Sequence, residues 1–190
     1  MEDTKPSLKS VITPARWVTN VHLDFMFSGV ITLILFGHKV FFFWPSTAHN
    51  LEYFRKHERT GGKTGGLDKA VTQMTGGWMR FFKEGDAFYN PAGQLHAVLS
   101  LSDSAITGYL AERPENLEKG YELAVQQLEW CKDPEYDAED VSNIIEETNT
   151  QLNYLESKGK AGWSPEKIAQ VKERLLQKQQ EVLSTKEEEL

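Results

Sequence analysis

The chain has 190 residues, 39% of them hydrophobic and 26% charged, with a formal net charge of −7. That length suits one domain plus an appendage, with a sizeable buried core, and the balance excludes wholesale disorder. The acidic excess excludes nucleic acid as the main partner, because phosphate binding needs clustered Lys and Arg, and it favours a basic protein partner.

Residues 1–10, with Glu2, Asp3, Lys5 and Lys9, read as a polar tail without the apolar core of a secretory signal. Residues 11–113 then form a β-rich core. Val11 to Phe25, Val30 to Leu35, Lys39 to Trp44, Trp78 to Phe82, Ala87 to Tyr89, His96 to Leu101 and Ala105 to Leu110 all read as strands. Phe25 to Trp44 is as long and apolar as a bilayer span, but His38 and Lys39 interrupt it and Gly29, Gly37 and Pro45 punctuate it. Two buried strands are therefore expected there rather than a membrane helix. Between strands, Thr47 to Arg59 and Leu67 to Thr75 read as helices, and Thr60 to Gly66 as a flexible loop.

Past Pro114 the apolar period changes to about 3.6, the mark of amphipathic helices. Leu117, Tyr121, Ala124, Val125 and Leu128 make one stripe, and Val141, Ile144, Ile145, Leu152 and Leu155 a second. Ser164–Pro165 opens a third helix, with Ser as N-cap and Pro at the first helical position. Residues 114–190 are thus a helical extension suited to covering the sheet, to docking or to dimerisation.

The lone Cys131 rules out an internal disulfide and cysteine-built zinc sites, so a reducing compartment is the default. His22-x-Asp24 is more informative. Side chains two apart on a strand share a face, and with His96 they supply the two imidazoles and one carboxylate of the facial triad that holds non-haem Fe(II). A single His on an apolar strand is ordinarily a hydrogen-bonded core residue. However, Asp24 in so apolar a stretch needs a cation or hydrogen bonds, and Lys39 in the next apolar run needs an anion. His38 should face away from this trio, and His49 and His57 belong on the surface. Gly62–Lys63–Thr64 lacks the first glycine of a phosphate loop, since His57 stands there. Phe41, Phe42, Phe43 and Trp44 read as packing.

These residues also carry a family resemblance. Thr19–Asn20–Val21–His22–Leu23–Asp24–Phe25, Gly37–His38–Lys39–Val40–Phe41, Asn50–Leu51, Gly85–Asp86, Pro91–Ala92–Gly93 and His96–Ala97–Val98 stand in the order found in Jumonji C (JmjC) oxygenases. The chain resembles the histone-lysine demethylase branch of that family. The resemblance implies a double-stranded β-helix, a cupin-like jelly roll, followed by C-terminal helices. It implies Fe(II) on His22, Asp24 and His96, with no catalytic side chain beyond the metal centre. Lys39 and Thr19 would hold the distal carboxylate of 2-oxoglutarate, with O₂ as second co-substrate. The implied reaction is N-demethylation of a histone tail in the nucleus. Stable side-chain hydroxylation and a non-catalytic chromatin module are the alternatives; without the resemblance, a cytoplasmic location would be expected. The family domain has strands and a helix ahead of the iron motif, so a barrel lacking its N-terminal part is expected. Met26 and Phe27 are expected to narrow the methyl-lysine channel, Thr32 stands where relatives place an aromatic hydroxyl, and Gly108–Tyr109–Leu110 lacks an Asn that several members have.

Overall fold

The computed structural model describes residues 9–24, 26–59, 66–111, 113, 115–134, 136–157 and 164–188. The loop over 60–65, with its rejected phosphate-loop motif, lies outside them, as do most of the N-terminal tail, Phe25, Pro114 and residues 189–190. The chain divides into two compact units, Met1–Phe25 with Gly29–Ala111, and Met26–Ser28 with Glu112–Leu190.

The first unit is a jelly roll. Its strands are β1 (Lys9–Thr13), β2 (Val18–His22), β3 (Gly29–Phe36), β4 (His38–Trp44), β5 (Trp78–Lys83), β6 (Ala87–Asn90), β7 (Leu95–Ser100) and β8 (Ser104–Ala111). They form two antiparallel four-stranded sheets, ordered β1-β8-β3-β6 and β2-β7-β4-β5. Ile34, Phe41, Phe43, Phe82 and Val98 make an apolar cluster, with Phe88 and Ile106 packed against it. Among the described residues β1 and β2 are edge strands that each pair on one side alone, as do β6 and β5 at the other ends of the two sheets. Helices α1 (Ala48–Arg59) and α2 (Leu67–Gln73) lie between β4 and β5 in sequence. Asn50 ties them together, donating to the Pro45 and Thr75 carbonyls and accepting from the Thr75 N–H, each at 2.9 Å.

One expected strand is two. Val11 to Phe25 breaks after Thr13, because Pro14 has no N–H for a sheet ladder. The chain then turns through Arg16 at φ 67°, and the Asp103 carboxylate accepts the Ala15 N–H at 2.8 Å. No helix among the described residues is long and apolar enough to cross a membrane; the apolar run in question is β3 and β4.

The second unit contains α3 (Asn116–Trp130), α4 (Ala138–Ser157) and α5 (Pro165–Glu188). Its core takes Leu117 and Leu128 from α3, Leu152 and Leu155 from α4, and Ile168 and Leu175 from α5. Ser164 caps α5, its hydroxyl accepting the Lys167 N–H at 3.1 Å. Met26 and Phe27 are buried. The Phe27 ring fills the space that a Cβ on Gly120 would need.

Candidate metal centre

His22 and His96 stand directly opposite each other in the β2–β7 ladder. Their ring centroids are 4.1 Å apart. The register slips between Thr19 and His22: two residues of β2 face one of β7. In a regular strand, residues three apart point to opposite faces. This β-bulge is what lets Thr19 and His22 line the same cavity, a common use of bulges beside sites. Asp24 corrects the strand argument. β2 ends at His22, so Asp24 reaches the pair from the following loop and not as the i+2 residue of a strand.

Ligand atoms of His22, Asp24 and His96 lie within 4.8 Å of one another. The His22 Nε2 is 3.5 Å from Asp24 Oδ1, and the His96 Nε2 is 3.6 Å from Asp24 Oδ2. Metal–ligand bonds of about 2.0–2.2 Å put neighbouring ligand atoms about 3 Å apart, so a small contraction would close the trio on an ion. The tautomers suit it too. His22 Nδ1 donates to the Asn20 carbonyl at 2.8 Å and His96 Nδ1 to the Gln94 carbonyl at 3.1 Å, which turns both Nε2 atoms toward Asp24.

Burial, with the neighbouring His22, pushes the His96 pKa down to about 4, against the pull of Asp24. Burial would lower His22 as well, but the Asp24 hydrogen bond, the Asn20 carbonyl and the Asp24 charge outweigh it and raise its pKa. For Asp24, burial is likewise outweighed, by the two imidazoles and the Asn90 amide, and its pKa is lowered. His96 is thus ready to ligate at neutral pH, whereas the raised His22 pKa makes a proton a stronger competitor for any cation there.

The same trio lines a cavity of about 190 Å³ whose other walls include Thr19, Thr32, Lys39 and Phe41. Lys39 is 2% exposed. Its Nζ donates to the Thr13 hydroxyl at 2.7 Å and the Ser100 hydroxyl at 2.9 Å. No carboxylate among the described residues pairs with it, and burial lowers its pKa. Thr13 belongs to one sheet and Ser100 to the other, so both sheets hold the ammonium. These hydroxyls, and Asn90 beside Asp24, escape sequence reading because isolated Thr, Ser and Asn carry no spacing signal. His38 is exposed and stacks on Phe81, with centroids 5.7 Å apart.

The chain is 32% identical over 102 residues to a "JmjC domain-containing histone demethylation protein 1" of Candida albicans, covering 47% of this chain and 20% of that protein. A protein of the same name from Candida glabrata is 27% identical over 178 residues, covering 83% of this chain and 43% of the relative. The chain is thus similar to several proteins named for a JmjC domain. A third JmjC relative, from Caenorhabditis elegans, is 28% identical over 98 residues, 52% of this chain and 9% of that protein. The chain thus spans less than half the length of these relatives. No family model matches it. The crystal structure of Peruvianin-I (cysteine peptidase from Thevetia peruviana latex) aligns over 55% of this chain and 49% of that one, at 10% identity and a TM-score of 0.37. That likeness is too low to support the JmjC reading or oppose it; the sheet order itself defines the jelly roll.

Proposed function

We propose that the barrel is an Fe(II)- and 2-oxoglutarate-dependent dioxygenase acting on a protein, with N-demethylation of a histone-tail lysine in the nucleus as its reaction. One observation carries the reading: a two-His, one-carboxylate cluster shares a cavity with a buried lysine that has no carboxylate partner among the described residues. A dicarboxylate keto acid answers both halves. Its distal carboxylate satisfies Lys39 with help from Thr19, and its other end reaches the metal ligands. Bound Fe(II) with O₂ supplies the chemistry, coupling oxidative decarboxylation of 2-oxoglutarate to oxidation of a substrate C–H bond.

The chain's own residues bind, orient and keep water out. Thr13 and Ser100 hold the Lys39 ammonium in place, while Val30, Phe41 and Val98 present apolar walls that exclude competing water. Thr32, 6% exposed, adds a hydroxyl to the cavity. The relatives' names support histone demethylation as the leading reaction.

The test is succinate formation by protein supplied with Fe(II), ascorbate and 2-oxoglutarate, run beside formaldehyde release from methylated histone peptides. Turnover is expected, and His22→Ala should abolish it. A folded, iron-loaded protein that forms no succinate would overturn the enzyme reading in favour of a non-catalytic chromatin module. A peptide product heavier by one oxygen atom, without formaldehyde, would replace demethylation by hydroxylation.

A further inference from the structure

We propose that Asn90 is a positioning residue of the metal centre, whose amide N–H occupies one oxygen of Asp24 and leaves the other to bind the ion. This rests on the metal reading above and concerns a residue that the ligand motif does not include.

Asn90 ends β6, paired with Val30 of β3, and is 3% exposed. Its Nδ2 lies 3.2 Å from Asp24 Oδ2 and 3.4 Å from His96 Nδ1. The second contact cannot be a true hydrogen bond, because His96 Nδ1 already spends its proton on the Gln94 carbonyl and has no lone pair to offer. The carboxylate is therefore the acceptor, and the bond is charge-assisted. Flipping the amide would set a carbonyl oxygen against a carboxylate oxygen, so the chemistry fixes its orientation. The other end of the side chain sharpens the point. Asn90 Oδ1 is buried with no hydrogen-bond partner among the described residues, which costs free energy that an apolar side chain at this strand end would not incur. Only the donor end offers compensation, and it faces Asp24.

The position of Asp24 explains why such a tether matters. It lies beyond the last ladder position of β2, with 29% of its side chain exposed. Apart from the two imidazoles, Asn90 is the group that holds its carboxylate among the described residues. A carboxylate free to bind through both oxygens would fill four positions of an octahedral ion together with the two histidines. Engaging Oδ2 would favour binding of an ion through Oδ1 alone, and so leave it more room for a chelating co-substrate.

The experiment is titration of the full chain with Co(II), followed by its visible d–d absorption, for wild type, Asn90→Leu and Asn90→Ala. Leu matches Asn in shape without the donor, and Ala tests the site should Leu not fold. Co(II) affinity is expected to fall about 10–100-fold in the variants, with a changed d–d band as Asp24 alters its binding mode. A folded variant that keeps both the wild-type affinity and the wild-type band overturns the proposal, even if its melting temperature drops, for then Asn90 only closes the strand. A wild-type protein that takes up no Co(II) at the trio overturns the metal reading itself, a result distinct from an Asn90 failure.

Discussion

Burying Lys39 removes an ammonium from water and returns to it only two hydroxyl acceptors among the described residues. For folding alone this is a poor exchange, since replacing a buried charge by an apolar side chain of similar volume is often neutral or stabilising. Lys39→Met is therefore expected to keep or raise the melting temperature. Thr13 and Ser100 can still bond each other at 2.8 Å. The same variant should lose at least about 100-fold in 2-oxoglutarate affinity, the scale of breaking a buried charge pair. Calorimetry with Mn(II) in place of iron would measure it, and unchanged affinity would make Lys39 a purely structural residue. The burial of this lysine was legible in the sequence, because it stands between two apolar stretches, Val30–Phe36 and Val40–Trp44. Its hydroxyl holders were not: Thr13 and Ser100 are far apart in sequence and meet only when the two sheets face each other.

The strands were legible as elements because runs of Val, Ile and Phe between Gly, Pro and Asn turns have few other uses. The bulge in β2 was not. A register slip depends on the partner strand, and the Thr19-to-His22 spacing, read on a regular strand, would put the two on opposite faces. The helices were readable from their stripes, and their surface adds a pH-dependent tie. Lys132 donates to both Glu129 and Glu181, and Lys178 pairs with the same two carboxylates. Hydrogen bonds from Lys132 and Lys178 hold Glu181 down to about 2, from its ordinary 4.5. A carboxylate lowered in the folded state contributes stability that is present above about 4.5 and lost as pH falls through about 2. Glu181→Gln should then melt slightly below wild type at pH 7, and the gap should close between those two values. Because the group is exposed, added salt should shrink the gap at neutral pH as well. Melting curves across pH and salt measure both, and a gap that survives at pH 2 would contradict the assignment.

Across the whole chain the charge is unevenly placed. Residues 112–190 carry 19 Asp and Glu against 10 Lys and Arg, whereas residues 1–111 carry 9 against 11. The acidic excess thus belongs to the helical part and not to the barrel with its site. If the proposed substrate is a basic histone tail, its capture should draw on that excess and weaken several-fold between about 50 and 200 mM salt, as long-range attraction is screened. Co(II) affinity should barely change over the same range. Fluorescence anisotropy of a labelled peptide would show it, and salt-independent binding would mean that the acidic helices take no part in capture. The sequence by itself determined the element types, the identity of three ligand-type residues and the burial of Lys39, because propensity and apolar patterning are local. Only the tertiary structure decided which oxygen of Asp24 is tethered, which hydroxyls hold Lys39 and how a bulge turns Thr19 and His22 into one cavity. Those depend on ladder register and on residues distant in sequence meeting between two sheets, which no spacing along the chain encodes.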